Sequence, residues 1–87
     1  MNAVITVVGI DQVGILAKVS TACAENQVNI VDVAQTVMDN YFTMTMLVTV
    51  DEGQVAFDDF QESVENLIPG MQITVMHEDI FKAMHRL

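Results

Sequence analysis

The chain is predicted to fold as an α+β sandwich, in the order strand–helix–strand, strand–helix–strand, with a short extra helix at the end. Three observations predict this. A β-branched run, "AVITVV", occupies residues Ala3 to Val8. The stretch "YFTMTMLVTV", from Tyr41 to Val50, alternates with a period of two directly after an Asp39-Asn40 pair. Between the strand-like stretches lie apolar residues at helical spacing.

The first strand, Ala3–Val8, is apolar in both of its alternating sets, as in a central strand covered on both faces. Gly9 is expected to end it. Leu16, Val19, Ser20 and Cys23 then recur at helical spacing, with Ile15 and Ala22 beside them, until "NQVN" breaks the pattern near Asn26. "NIVDVAQTVM", Asn29–Met38, is the second strand. Asp39-Asn40 suits a two-residue turn, because both residues tolerate positive φ. In the third strand Phe42, Met44, Met46, Val48 and Val50 share one face, while Tyr41, Thr43, Thr45, Leu47 and Thr49 share the other.

"DEGQ", Asp51–Gln54, is a loop. Phe57, Phe60, Val64, Leu67 and Ile68 form the second helical stripe, with Asp58, Asp59, Glu62 and Glu65 on its wet side and Pro69-Gly70 as its stop. Met71–Met76 is the fourth strand. The tail "HEDIFKAMHRL" places Ile80, Phe81, Met84 and Leu87 at helical spacing. Two strand–helix–strand units sharing one sheet make a ferredoxin-like βαββαβ sandwich: a four-stranded antiparallel sheet with two helices on one face, plus a short C-terminal helix. Residues 1–87 are expected to form one domain. Thr36, Thr43, Thr45, Thr49 and Asp32 make part of the opposite sheet face polar, and the tail stripe is expected to pack on that face or on the same face of a partner.

Composition narrows the function. Hydrophobic residues make up 52% of the 87, and charged ones 17%. That is more apolar surface than one small core absorbs, and it predicts a second copy or another protein as cover. Twelve acids against Lys18, Lys82 and Arg86 give a net charge of −9. A chain with so few bases lacks the footprint for nucleic acid or for an anionic membrane. The opening "MNAVITVV" has no basic n-region, and Asn40–Val50 is too short to span a bilayer, so a cytoplasmic location is expected. The single cysteine, Cys23, falls on the apolar side of the first helix and reads as a buried thiol.

The loop "VGIDQVG" carries the sharpest question. Asp11 is placed to cap the first helix, Gly9 to supply a backbone angle that other residues resist, and Gly14 to clear space where the helix start approaches a neighbour. A helix N-terminus with free amides suits a carboxylate, yet a capped helix with two turn glycines also needs no ligand. The spacing fits neither a phosphate loop nor a dinucleotide fingerprint.

"GIDQVGIL", Gly9–Leu16, with the Asn29-Ile30 strand start, resembles the ACT domain, a ferredoxin-like regulatory module of amino-acid metabolism. The likeness spans the chain. With its "HEDIFKAMHRL" ending, the sequence is similar to small stand-alone prokaryotic ACT proteins of unassigned function and, distantly, to the repressor of the glycine-cleavage operon. The resemblance implies a homodimer and a small amino acid, or similar carboxylate, held near Asp11, Gln12, Val13 and Gly14 with Asn29 and Ile30 facing them. It also implies a protein partner whose activity is modulated, and no catalysis. The alternative is an oligomerisation and docking module with no ligand.

Other groups are weaker. His77 and His85 are eight residues apart and do not make a metal-ligand pattern, so neither a metal nor another cofactor is expected. His77, Lys82, His85 and Arg86 gather most of the positive charge into the last eleven residues, either as a docking patch or as the complement of a helix dipole. No serine or cysteine stands beside a base, which argues against an enzyme.

Overall fold

Hydrogen-bonded register defines the molecule. In the computed structural model, which describes residues 1–85, the elements run β1 (Asn2–Ile10), α1 (Ile15–Glu25), β2 (Asn29–Met38), β3 (Tyr41–Thr49), α2 (Phe57–Glu65), β4 (Gln72–His77) and α3 (Glu78–Met84). The strands form one sheet in the order β2-β3-β1-β4, and each neighbouring pair is antiparallel. The β2–β3 hairpin turns through Asp39, whose φ of 59° is the left-handed conformation expected of that turn. A bulge between Ile30 and Asp32 leaves Val31 out of register.

The pleat sorts the side chains as the alternation predicts. Ala3, Ile5 and Val7 of β1, Met44, Met46 and Val48 of β3, and Ile73 and Val75 of β4 are buried beneath α1 and α2. Phe60 and Val64 from α2 and Val19 and Cys23 from α1 close the core from above. No polar or charged residue is buried among the described residues. The fold is therefore held by apolar burial and by the ladder, without a buried ion pair.

Several local expectations are corrected. Leu16 is 39% exposed, and the buried stripe of α1 is Ile15, Val19, Ala22 and Cys23. The inward direction is set by a helix that begins at Ile15, and that rotates Leu16 off the core. The second helix stops at Glu65, not at Pro69-Gly70. Asn66 ends it by donating its side-chain amide to the Glu62 carbonyl at 2.9 Å, and Leu67 and Ile68 pack from the following turn. Glu65 does not belong with the solvated acids: its Oε2 accepts the Val75 amide at 2.9 Å. Gly9 does not end β1, which continues to Ile10. The fourth strand is shifted by one residue, from Met71–Met76 to Gln72–His77.

The other sheet face is partly covered. Phe81 of α3 is half-buried beside Val4 and Leu47, as the tail stripe predicts, whereas Ile80 and Met84 stay exposed. Leu87, the stripe's last member, lies outside the described residues.

Candidate functional site

The β1–α1 loop is tied to the hairpin. The Asp11 amide donates to the Asn40 carbonyl at 2.8 Å, joining the end of β1 to the turn between β2 and β3. The Asp11 carboxylate does not cap α1, as the sequence suggests it should. Gly14 is the N-cap residue, at φ 89° and ψ 11°, and no side chain accepts from the opening turn. Asp11 stands three residues before that cap position, not at it. No acid lies in the first turn of α1, so its positive end is uncompensated.

The roles of the two glycines are the reverse of those expected. A Cβ at Gly9 would stand 2.6 Å from the Met71 sulfur, so Gly9 serves close approach. A Cβ at Gly14 would meet nothing within 4 Å, and Gly14 is needed for its left-handed φ instead. Asp11, Gln12 and Val13 are exposed, Val13 by 97%.

Asn29 and Ile30 lie far from this loop within one chain. They pair with Thr49 and Val48 at the end of β3, across from Asn2 and Ala3 at the start of β1. The loop leaves the opposite end of β1, where Ile10 pairs with Tyr41. Nine residues of strand separate the two ends, about 30 Å at ~3.3 Å per residue. A single chain does not assemble the six candidate residues.

The edge between them is open. β2 is the outer strand, and its residues are mostly exposed. The far edge differs. There the Val75 amide is taken by Glu65, and its carbonyl accepts from the Gln61 side chain at 2.6 Å. Sequence reasoning missed this seal, because Gln61 and Glu65 carry no signal beyond helical spacing.

The residues of the candidate docking patch are dispersed or already engaged. His77 closes β4 and lies against Phe57, with ring centroids 4.3 Å apart. Lys82 pairs with Glu78 at 3.7 Å. His85 stacks on Phe81 at 4.1 Å and places Nδ1 2.8 Å from its carbonyl oxygen. Arg86 lies outside the described residues. A concavity of about 370 Å³ is lined by Met1, Asn2, His77, Glu78 and Asp79, at the sheet end remote from the loop. Among the described residues no three His, Cys, Asp or Glu side chains gather as a metal site, and no helix is long and apolar enough to cross a membrane. Burial pushes the Cys23 thiol up to about 11, leaving it protonated and unreactive at neutral pH.

The family model described as the ACT domain matches residues 2–77. The chain belongs to the ACT domain family. A UPF0237 protein of Methanococcus maripaludis is 47% identical over 99% of this chain and 98% of its own. An ACT domain protein from Streptococcus pneumoniae superposes with a TM-score of 0.79 at 41% identity, covering 98% of each chain. The regulatory subunit of aspartate kinase from Thermus thermophilus, in a ligand-free form, is 33% identical with a TM-score of 0.61, over 85% of this chain and 49% of that one. A structure assigned as a glycine cleavage system transcriptional repressor shares the fold, with a TM-score of 0.70 at 22% identity. The small ACT chain therefore has the expected ferredoxin-like architecture and sits among relatives that include regulatory domains.

Proposed function

We propose that the chain is a stand-alone regulatory ACT domain that pairs through β2 and holds a small amino acid, or similar carboxylate, between two copies. One observation carries this reading: the two halves of the candidate site lie at opposite ends of the sheet, whose border is the long, exposed edge strand β2. Two β2 strands paired antiparallel about Val33 would set Asn29 of one copy opposite Val37 of the other. That position adjoins the hairpin whose Asn40 carbonyl holds the Asp11 amide. Each pairing completes two equivalent sites.

The chemistry fits a zwitterion. The uncapped opening turn of α1 offers amides and a partial positive charge to a carboxylate. The side chains of Asp11 and the facing Asn29 can accept from an ammonium group. Ligand bound across the pair stabilises it by mass action, and that linkage is the means of changing a partner protein's state. The role is non-catalytic and suits the cytoplasm. One feature favours the rival reading of a docking module without ligand: Asp11, Gln12 and Val13 stand exposed instead of lining a formed pocket.

Thermal melting against a panel of amino acids tests the two. A binder gains about 2.7 kcal/mol at a ligand concentration of 100 Kd. The rise should vanish in Asp11→Ala and Asn29→Ala, both exposed positions. A dimer that melts at one temperature with every amino acid in the panel would leave the docking module standing.

A further inference from the structure

The open face of the sheet is almost free of charge, in a chain that is strongly acidic. Eighteen strand residues point to it by register: five each from β1, β2 and β3, and three from β4. Asp32 is the one charged residue among them, although the chain has twelve acids. Acids stand instead at the rim, Asp11 in the first loop and Asp39 in the hairpin turn. A neutral centre with a polar rim is the anatomy of an interface, not of a solvated face.

The cover is incomplete and two-sided. α3 lies over one end of the face, leaving a groove of about 240 Å³ lined by Val4, Thr45, Leu47, Phe81 and the Glu78–Lys82 pair. The other end carries an uncovered apolar row across three strands: Ile10, Tyr41 and Met38, exposed by 53%, 59% and 73%. Val8 adds to it from the next row. On the same side of the molecule α3 leaves Ile80 and Met84 exposed.

We propose that this face is a second self-association surface, on which two copies stack with their two-fold axis across the strands. That axis swaps the sheet ends, so α3 of each copy lies over the Ile10–Tyr41–Met38 row of the other. The two α3 helices then form a layer between two sheets. A second copy fits where a charged partner does not, because each sheet surface brings one charged residue, Asp32, to the contact, and Glu78 of α3 is already paired with Lys82. Three strands of nine or ten residues and one of six, about 4.8 Å apart, give roughly 540 Å², and α3 supplies the rest of the ~800 Å² per partner of a standard interface. The surface is distinct from the β2 edge, and the two together generate a four-chain assembly.

Sedimentation of the wild type, Tyr41→Asp, Ile80→Asp and Gln35→Pro, the last in β2, tests both contacts separately. All three changed positions lie at the surface, and circular dichroism melts check that each variant folds. The expected wild type is four chains, halved by either aspartate and halved independently by Gln35→Pro. A two-chain wild type broken by Tyr41→Asp but not by Gln35→Pro would keep the face contact and remove the edge one. Wild-type mass in both aspartate variants overturns the proposal and leaves the face to another partner. A mixture of Tyr41→Cys and Ile80→Cys chains gives a second readout, since the native thiol is buried. A short thiol crosslinker should join unlike chains. Its failure to do so in a fully assembled mixture overturns the stacking.

Discussion

The two edges of the sheet are treated in opposite ways. β4 is six residues long, and α2 turns two side chains onto it, so the outward amide and carbonyl of Val75 are satisfied from within the chain. β2 is ten residues long, exposes Val31, Val37 and Met38, and among the described residues has no hydrogen bond from a helix side chain. A bare edge strand is a template for another strand, and soluble proteins normally blunt it. This chain closes one edge with helix side chains and leaves the other with only a bulge and the Asp32 carboxylate on the Val33 amide. The difference teaches where pairing is built in: specificity here is achieved as much by closing β4 as by leaving β2 available.

The largest effect should come from breaking the open edge. The Val33 amide points away from β3, since it donates to the Asp32 carboxylate at 2.9 Å. Strand alternation then points the Gln35 amide outward as well. Gln35→Pro removes that donor without costing a ladder bond, a position where an edge strand tolerates proline. Two symmetric losses of about 1.4 kcal/mol each weaken the β2 pairing on the order of 100-fold. Sedimentation equilibrium at several concentrations measures it. Unchanged association would mean that the sheet edges do not meet.

Unsealing the other edge comes next. Glu65→Ala leaves the Val75 amide without its acceptor, at a cost of about 1–3 kcal/mol. For a chain of this size that lowers the melting temperature by roughly 4–8 °C per kcal/mol. A second free edge should also add mass in solution as concentration rises. Glu65→Gln retains an acceptor oxygen and should recover most of the loss. A Glu65→Ala variant with wild-type stability and mass would show that the seal contributes nothing.

The strands were legible in the sequence because their physics is local. Tyr41–Thr49 alternates, Asn29–Met38 is bounded by Asn and Asp, and Asp39 tolerates positive φ; each of these survives into the structure. What escaped depends on distant partners. Glu65 has the same helical spacing as Glu62 and Asp58, and nothing in the sequence shows that β4 passes beneath it. Gly9 and Gly14 look alike in sequence, yet one answers a sulfur 62 positions away and the other a backbone angle. The two halves of the candidate site are 18 positions apart, a spacing that does not say whether they share an end of the sheet. Topology says they do not.

The glycines divide along the same line as the edges. Gly9 faces Met71, just before β4, while Gly14 opens α1, which packs along β2. Gly14→Ala forces a left-handed residue and should cost about 1–2 kcal/mol whatever else is changed. Gly9→Ala meets the flexible end of Met71, so Met71→Ala in the same chain should relieve its strain. A double-mutant cycle of melts reads the coupling. A Gly14→Ala penalty relieved by trimming a neighbour would return that position to steric crowding.

The smallest expected effect lies at the middle of the open edge. Asp32 sits beside the bulge and bonds the Val33 amide, so two copies paired about Val33 bring two carboxylates near each other. Unit charges 4 Å apart in water repel by about 1 kcal/mol. Asp32→Ala should therefore tighten the β2 pairing a few-fold, with the stability of one chain changed by no more than about 0.5 kcal/mol. Salt separates this cause from packing. Wild-type pairing should strengthen with ionic strength as the repulsion is screened, and the variant should respond less. Weaker pairing in Asp32→Ala at every salt concentration would instead make the carboxylate an acceptor used by the partner, and would move the centre of the contact away from Val33.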